Sequence, residues 1–290
     1  MTRVHLFGSQ LLSVDGRAVC LRLHGATLDL LRYLFLFAGR KIRRELLADR
    51  FWRRSSRKRQ RSALNSAFWR IRSRLKQIPG VELATEGEHI GLDLATEVAV
   101  DAVELAEAAA LASEPTATRD VARRLADALE ASEEPLFGGA VVDWALAERE
   151  RLFHLRIRGL TLLMRWRADR KSYEEALETG RSLLAADPLR ETAQCEVMWL
   201  YVLNGQRAQA LRQYRDYVRL LRRELDIGPM PETRALYDHI RQDLDCGARH
   251  RHPPQARAPR PPESGHLDSM LGAIEQSRLE LYRTLRDFQH

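Results

Sequence analysis

The stretch from Phe51 to Gln77, FWRRSSRKRQRSALNSAFWRIRSRLKQ, concentrates the residues whose types and spacing suggest chemistry. Ten of its 27 positions are Arg or Lys, and none is acidic. Cations at this density suit one task, the neutralising of a polyanion, and Arg forks match both phosphate oxygens and guanine edges. Among the charges, Leu64, Phe68, Ile71 and Leu75 recur at helical spacing and form a single apolar stripe. Projected at ~100° per residue, the opposite face holds Arg59, Ser62, Ser66, Trp69, Arg70, Ser73 and Lys76, flanked by Asn65 and Arg72.

A helix of this kind fits the major groove of duplex DNA, where outward side chains meet base edges. Ser62, Asn65, Ser66, Trp69, Arg70 and Ser73 are the candidate base contacts. Asn pairs with adenine through two atoms and Arg with guanine, while an indole offers apolar surface to a thymine methyl. Arg53, Arg54, Arg57, Lys58, Arg59 and Arg61, around the loop before the helix, are the candidate phosphate contacts, together with Arg72 and Lys76. Such contacts hold register without reading sequence. Blander readings stand beside these. Trp69 can pack on a second domain or protomer, Asn65 can be a solvated flank, and the basic loop can meet another protein or simply face water.

The rest of the chain must position that helix. From Arg40 to Lys76 there are 15 basic residues against two acids, whereas from Gln77 to Leu160 there are 17 acids against seven Arg. The net charge of +7 therefore belongs to one local module followed by an acidic one. Only four of the 47 basic residues are Lys. A GC-rich genome accounts for that ratio but not for the clustering. Short strands are expected at Val4–Phe7, Leu11–Val14 and Ala18–Leu23, with Asp15-Gly16 as a hairpin turn. Helices are expected at Thr27–Phe37, at Arg44–Trp52 with Leu46, Leu47 and Phe51 inward, and at Arg59–Gln77. Val81–Ala84 and His89–Leu92 then make a wing-like hairpin. Its turn carries Glu86 and Glu88, which DNA phosphates would repel, so the helix and the basic loop should dominate any DNA contact.

From about Val100 to Leu244 the pattern is helical. Ala176-Leu177 and Ala210-Leu211 lie 34 residues apart, with Lys171 and Gly205 in the matching turns. That is the period of tetratricopeptide (TPR) helix pairs, which bury their faces by stacking. Leu177, Leu184, Trp199, Leu200, Tyr201, Leu211, Tyr214 and Leu221 are read as core rather than as a ligand pocket. The fold class expected is mostly α with a small β component. Its parts are a DNA-binding domain at 1–98, a TPR-like domain at 99–244, a Pro/Arg-rich linker at 245–266 and an amphipathic helix at 267–290. In the last segment Leu267, Leu271, Ile274, Leu281, Leu285 and Phe288 follow a seven-residue repeat. It suits docking on its own domain, a dimer or partner contact, or a membrane surface.

Other function classes fare worse. HExxH, GxSxG, CxxC and GxxxxGK[ST] are all missing, and the nine His form no cluster with metal-ligand spacing. Paired carboxylates such as Glu148/Glu150 sit on helices and read as solvated. No enzyme, cofactor or metal is expected. Cys20, Cys195 and Cys246 make no disulfide framework, and no segment is apolar enough for a bilayer. A cytoplasmic protein follows. Two binding rivals remain: a protein scaffold with only loose attraction for nucleic acid, and an RNA-binding helix without the usual aromatic strands.

The combination resembles a known family. Strand meander, helices, basic helix and wing resemble the OmpR/PhoB-like winged helix-turn-helix, with SALNSAFWRIRSRLKQ at the recognition helix. PLFGGAVVDWALAERERL, SYEEALETGRSLLAADPLRE and GQRAQALRQYRDYVRLLRRELDIGPMPETRALY resemble the bacterial transcriptional activator domain. Together they resemble the Streptomyces antibiotic regulatory protein (SARP) family over roughly residues 4–243. The resemblance implies a transcriptional activator that binds direct repeats near promoters as a homodimer and contacts RNA polymerase holoenzyme. It implies double-stranded DNA as partner and gives no handle on a small-molecule ligand. With no P-loop and no receiver domain before Val4, neither ATP hydrolysis nor aspartate phosphorylation is expected as a switch.

Overall fold

A computed structural model describes residues 1–114, 117–140 and 142–248. The expected amphipathic segment at 267–290, with Leu267, Leu271, Ile274, Leu281, Leu285 and Phe288, and most of the expected linker lie outside the described residues.

The chain opens with an antiparallel meander, β1 (Thr2–Val4), β2 (Leu12–Val14) and β3 (Arg17–Ala18). Thr2 faces Val14 across the first pair and Ser13 faces Ala18 across the second. Asp15 and Gly16 both take left-handed φ, 49° and 75°, as a tight hairpin between right-twisted strands requires. All three strands depart from the expected bounds, β2 by a single residue. β1 stops at Val4 because the N–H groups of Leu6 and Phe7 donate to the Asp101 carboxylate at 2.8 and 3.0 Å instead of to a neighbouring strand. β3 stops at Ala18, and Arg22, with φ of 48°, prevents the backbone from staying extended as far as Leu23.

Helix α1 (Gly25–Leu36) buries Leu30, Leu31, Leu34 and Phe35. The edge strand β4 (Ile42–Arg43) leads straight into α2 (Arg44–Trp52). On α2 the inward positions are Leu47 and Ala48, with Phe51 half-buried. Leu46 was expected inward, but it lies a further ~100° round a short helix and is 61% exposed. Helix α3 (Arg57–Leu75) seats Leu64, Ala67, Phe68, Ile71 and Leu75 in the core, the whole predicted stripe included. β5 (Val81–Glu86) and β6 (His89–Leu94) form the wing hairpin, with β4 paired to the outer side of β6 at Ile42 and Ile90. β7 (Ala99–Val100) returns parallel to β1 and closes the first sheet in the order β3-β2-β1-β7.

Among the described residues seven α-helices follow: α4 (Asp101–Leu111), α5 (Arg119–Ala131), α6 (Leu146–Asp169), α7 (Tyr173–Ala186), α8 (Glu191–Leu203), α9 (Arg207–Leu225) and α10 (Pro231–Ala248). The 34-residue repeat is visible in the backbone. Lys171 and Gly205 open α7 and α9 with φ of 61° and 72°. Ala176, Leu177, Ala210 and Leu211 are all buried. Of the other predicted core positions, Leu200 and Leu221 are buried, while Leu184, Trp199, Tyr201 and Tyr214 are half-buried. Gly180 lets α7 and α8 approach closely, since a Cβ there would stand 2.6 Å from a methyl of Val197.

Residues Met1–Asp243 form one unit, and the apolar core of the winged helix does not stop at residue 98. Leu136, Phe137, Ala145 and Leu152 are buried in the same core as Leu31, Phe35 and Leu47. The N–H of Phe137 donates to the carbonyl of Leu6 at 2.7 Å. The Trp144 ring meets Tyr33 edge-on at 5.1 Å and Phe51 at 5.9 Å.

Candidate nucleic-acid interface

The apolar stripe of α3 faces inward and fixes what faces out. Ser62, Asn65, Ser66, Trp69, Arg70 and Ser73 are all exposed, as are Arg53, Arg54, Arg57, Lys58, Arg59, Arg61, Arg72 and Lys76. Trp69 is 73% exposed, so within the described residues it is not used for packing between the winged helix and the repeats. These candidates thus lie on α3 and the residues that flank it on either side.

Helix α3 starts two residues earlier than the apolar period suggests. Ser56, with extended backbone, precedes it, and its carbonyl accepts from the N–H of Gln60 at 2.9 Å. Arg57, Lys58 and Arg59 therefore form the first turn rather than a loop. Cations there are unfavourable, because the helix N-terminus already carries partial positive charge and unsatisfied N–H groups. No acid lies in that first turn to offset them. Among the described residues no carboxylate forms an ion pair with Arg53, Arg54, Arg57, Lys58, Arg59, Arg70 or Lys76. A phosphate at this end would meet guanidinium groups, free backbone N–H groups and the helix dipole together.

Other candidates already have protein partners. Arg61 pairs with Glu45 at 3.2 Å, and Arg72 donates to the Thr85 hydroxyl at 3.3 Å. The Ser66 hydroxyl donates to the Ser62 carbonyl at 3.0 Å, leaving its lone pairs as the outward group. Asn65 Oδ1 accepts from the Arg44 guanidinium at 2.5 Å. In the wing, Glu86 pairs with Lys41 at 2.5 Å, so one of its two acids is held beside a cation.

Lys41, Arg43 and Arg44 were not singled out from the sequence. β4 places them beside the wing, and the N–H of Arg44 donates to the carbonyl of Glu88 at 2.8 Å. The only signal available was their membership of the 15-cation block. Elsewhere, no cluster of His, Cys, Asp and Glu among the described residues has a geometry for metal. No helix among them is long and apolar enough to cross a membrane.

The fold is thus a winged helix-turn-helix joined to stacked helix pairs. Residues 98–241 match the family model of the bacterial transcriptional activator domain. The regulatory protein AfsR of Streptomyces coelicolor is 32% identical over 171 residues, a match covering 57% of this chain and 17% of AfsR. The chain thus spans under a fifth of that relative's length. The structure of Mycobacterium tuberculosis EmbR in complex with a low-affinity phosphopeptide superimposes with a TM-score of 0.67 at 19% identity, over 83% of this chain and 65% of the EmbR chain. That likeness concerns the fold. Residues 98–241 are thus similar to a bacterial transcriptional activator domain, and the match to AfsR supports the resemblance to the SARP-type regulators.

Proposed function

We propose that this regulator is a sequence-specific DNA-binding activator that inserts α3 into the major groove. In this reading Arg53, Arg54, Arg57, Lys58, Arg59, Arg61, Arg72 and Lys76 hold phosphates, and Ser62, Asn65, Ser66, Trp69, Arg70 and Ser73 meet base edges. The observation that carries it is the first turn of α3, where three consecutive cations stand on a helix N-terminus with no acid in that turn. Such an arrangement is costly in isolation and is relieved by an anionic partner. Two copies bind direct repeats near promoters, and the helical repeats contact RNA polymerase. The protein needs no cofactor and catalyses no reaction; it acts on DNA in the cytoplasm.

Selection of full-length protein against random duplex DNA at about 150 mM salt, followed by sequencing, tests this. A tandem motif is the expected result. Binding without any enriched motif would leave a helical-repeat scaffold with loose nucleic-acid affinity in its place. On the selected duplex, Arg70→Ala should cost ~1–3 kcal/mol and relax preference at one or two base pairs. Unchanged affinity and motif would remove Arg70 from the groove.

A further inference from the structure

Arg44 joins three parts of the DNA-facing surface. It is the first residue of α2, its backbone N–H is fixed to the wing at Glu88, and its side chain reaches α3. The guanidinium lies over the Phe68 ring at 5.6 Å and donates to Asn65 Oδ1 at 2.5 Å. Stacking on an aromatic face and a hydrogen bond across elements together restrict a long side chain to one place. Phe68 is itself buried, so the platform is rigid.

The consequence falls on Asn65. An Arg side chain has donors and no acceptor, so the contact settles which end of the carboxamide faces it. Oδ1 turns toward Arg44 and gives it one lone pair, which leaves a second lone pair and the two N–H donors for another partner. Adenine requires just that pair of functions, an acceptor for its N6 amine and a donor for N7. A carboxamide free to rotate would present the reversed order half the time and lose discrimination.

We propose that Arg44 is a positioning residue that presents Asn65 in a single orientation for bidentate reading of adenine. The proposal rests on the reading of α3 as the groove-entering helix. It gives Arg44 a role distinct from its neighbours in the basic block, since its guanidinium works through another side chain rather than on a phosphate.

The test uses full-length protein, the selected duplex and its single-base variants at fixed salt, with a salt titration of each variant. Arg44→Met should lower discrimination at one A·T pair by about tenfold, the order expected for one bidentate contact. Asn65→Ala should lower it at the same pair, and the double variant should do no worse than the poorer single one. Arg44→Lys, which keeps donors and brings no acceptor, should restore most of the preference. The salt slope and affinity for an unrelated duplex should stay those of the parent. A uniform loss over all duplexes with the salt slope reduced by about one would make Arg44 a phosphate contact and overturn the proposal. So would full preference in Arg44→Met. A parent chain with no base preference anywhere would instead overturn the DNA-reading function, and the positioning role with it.

Discussion

Asp101 shows how a single residue ends one element and starts another. Its carboxylate accepts from the N–H groups of Leu6, Phe7 and Ala102, so it terminates β1 and caps the first turn of α4 at once. Burial pushes its carboxyl up from an ordinary 3.8 to about 6, although those same N–H groups favour the charged form. The sign of the linkage follows. The folded state holds the proton more tightly than the unfolded state between about pH 4 and 6, so this group's contribution to stability falls as pH rises through that window. Asp101→Asn removes the titration and one acceptor lone-pair set. We expect the variant to melt lower than the parent, with the gap in Tm wider at pH 4.5 than at pH 7.5. Thermal unfolding at the two pH values checks this, and an equal gap would show that Asp101 does not titrate in the folded range.

At the scale of the element, α3 separates what a sequence shows from what it hides. The stripe of Leu64, Phe68, Ile71 and Leu75 was legible because burial of one face imposes a period, and all four are buried. The outward face followed by geometry from the same period. The first two residues of the helix were not legible, because Arg57 and Lys58 lie before the first apolar residue and carry no periodic mark. Leu46 misled for the opposite reason: a nine-residue helix is too short for its apolar residues to define one face. The Arg44–Asn65 contact spans 21 positions in the chain and depends on how α2 crosses α3, which no local pattern encodes. The unpaired cations before and within the first turn of α3 carry a prediction of their own. Arg54→Ala with Lys58→Ala should weaken binding to every duplex alike and reduce the salt slope by about two. An unchanged slope in salt titrations of the double variant would place both side chains off the phosphates. The apolar stripe should be untouched, and the melting temperature should not fall, since Lys58 leaves an unfavourable place at a helix N-terminus.

For the whole molecule, the charge reversal near residue 77 marks a change of surface rather than a break in the core. Sequence reasoning placed the end of the DNA-binding part near residue 98, where the strand-and-helix pattern gives way to continuous helix. The side chains run on past it. Leu152, nearly two turns into α6, is buried with Leu31, Phe35 and Leu47, and Trp144 wedges between Tyr33, Phe51 and Phe137. Gly138, with φ of 62°, lets the chain pass close to Gly8, since a Cβ there would stand 3.2 Å from the Gly8 carbonyl oxygen. Helical repeats and winged helix are therefore joined by shared apolar surface and backbone hydrogen bonds, not by a tether. Such a joint transmits displacement between the segments, since close-packed side chains do not deform independently. Leu152→Ala tests the joint cleanly, because Ala keeps helix propensity and the change removes only buried methyl groups. We expect a loss of ~2–5 kcal/mol, felt on both sides of residue 98. Hydrogen exchange should quicken for amides in α1 as well as in α6. Faster exchange confined to α6, with α1 unchanged, would mean that the winged helix holds its core without the helices that follow, and that whatever the helical repeats bind reaches α3 by another route.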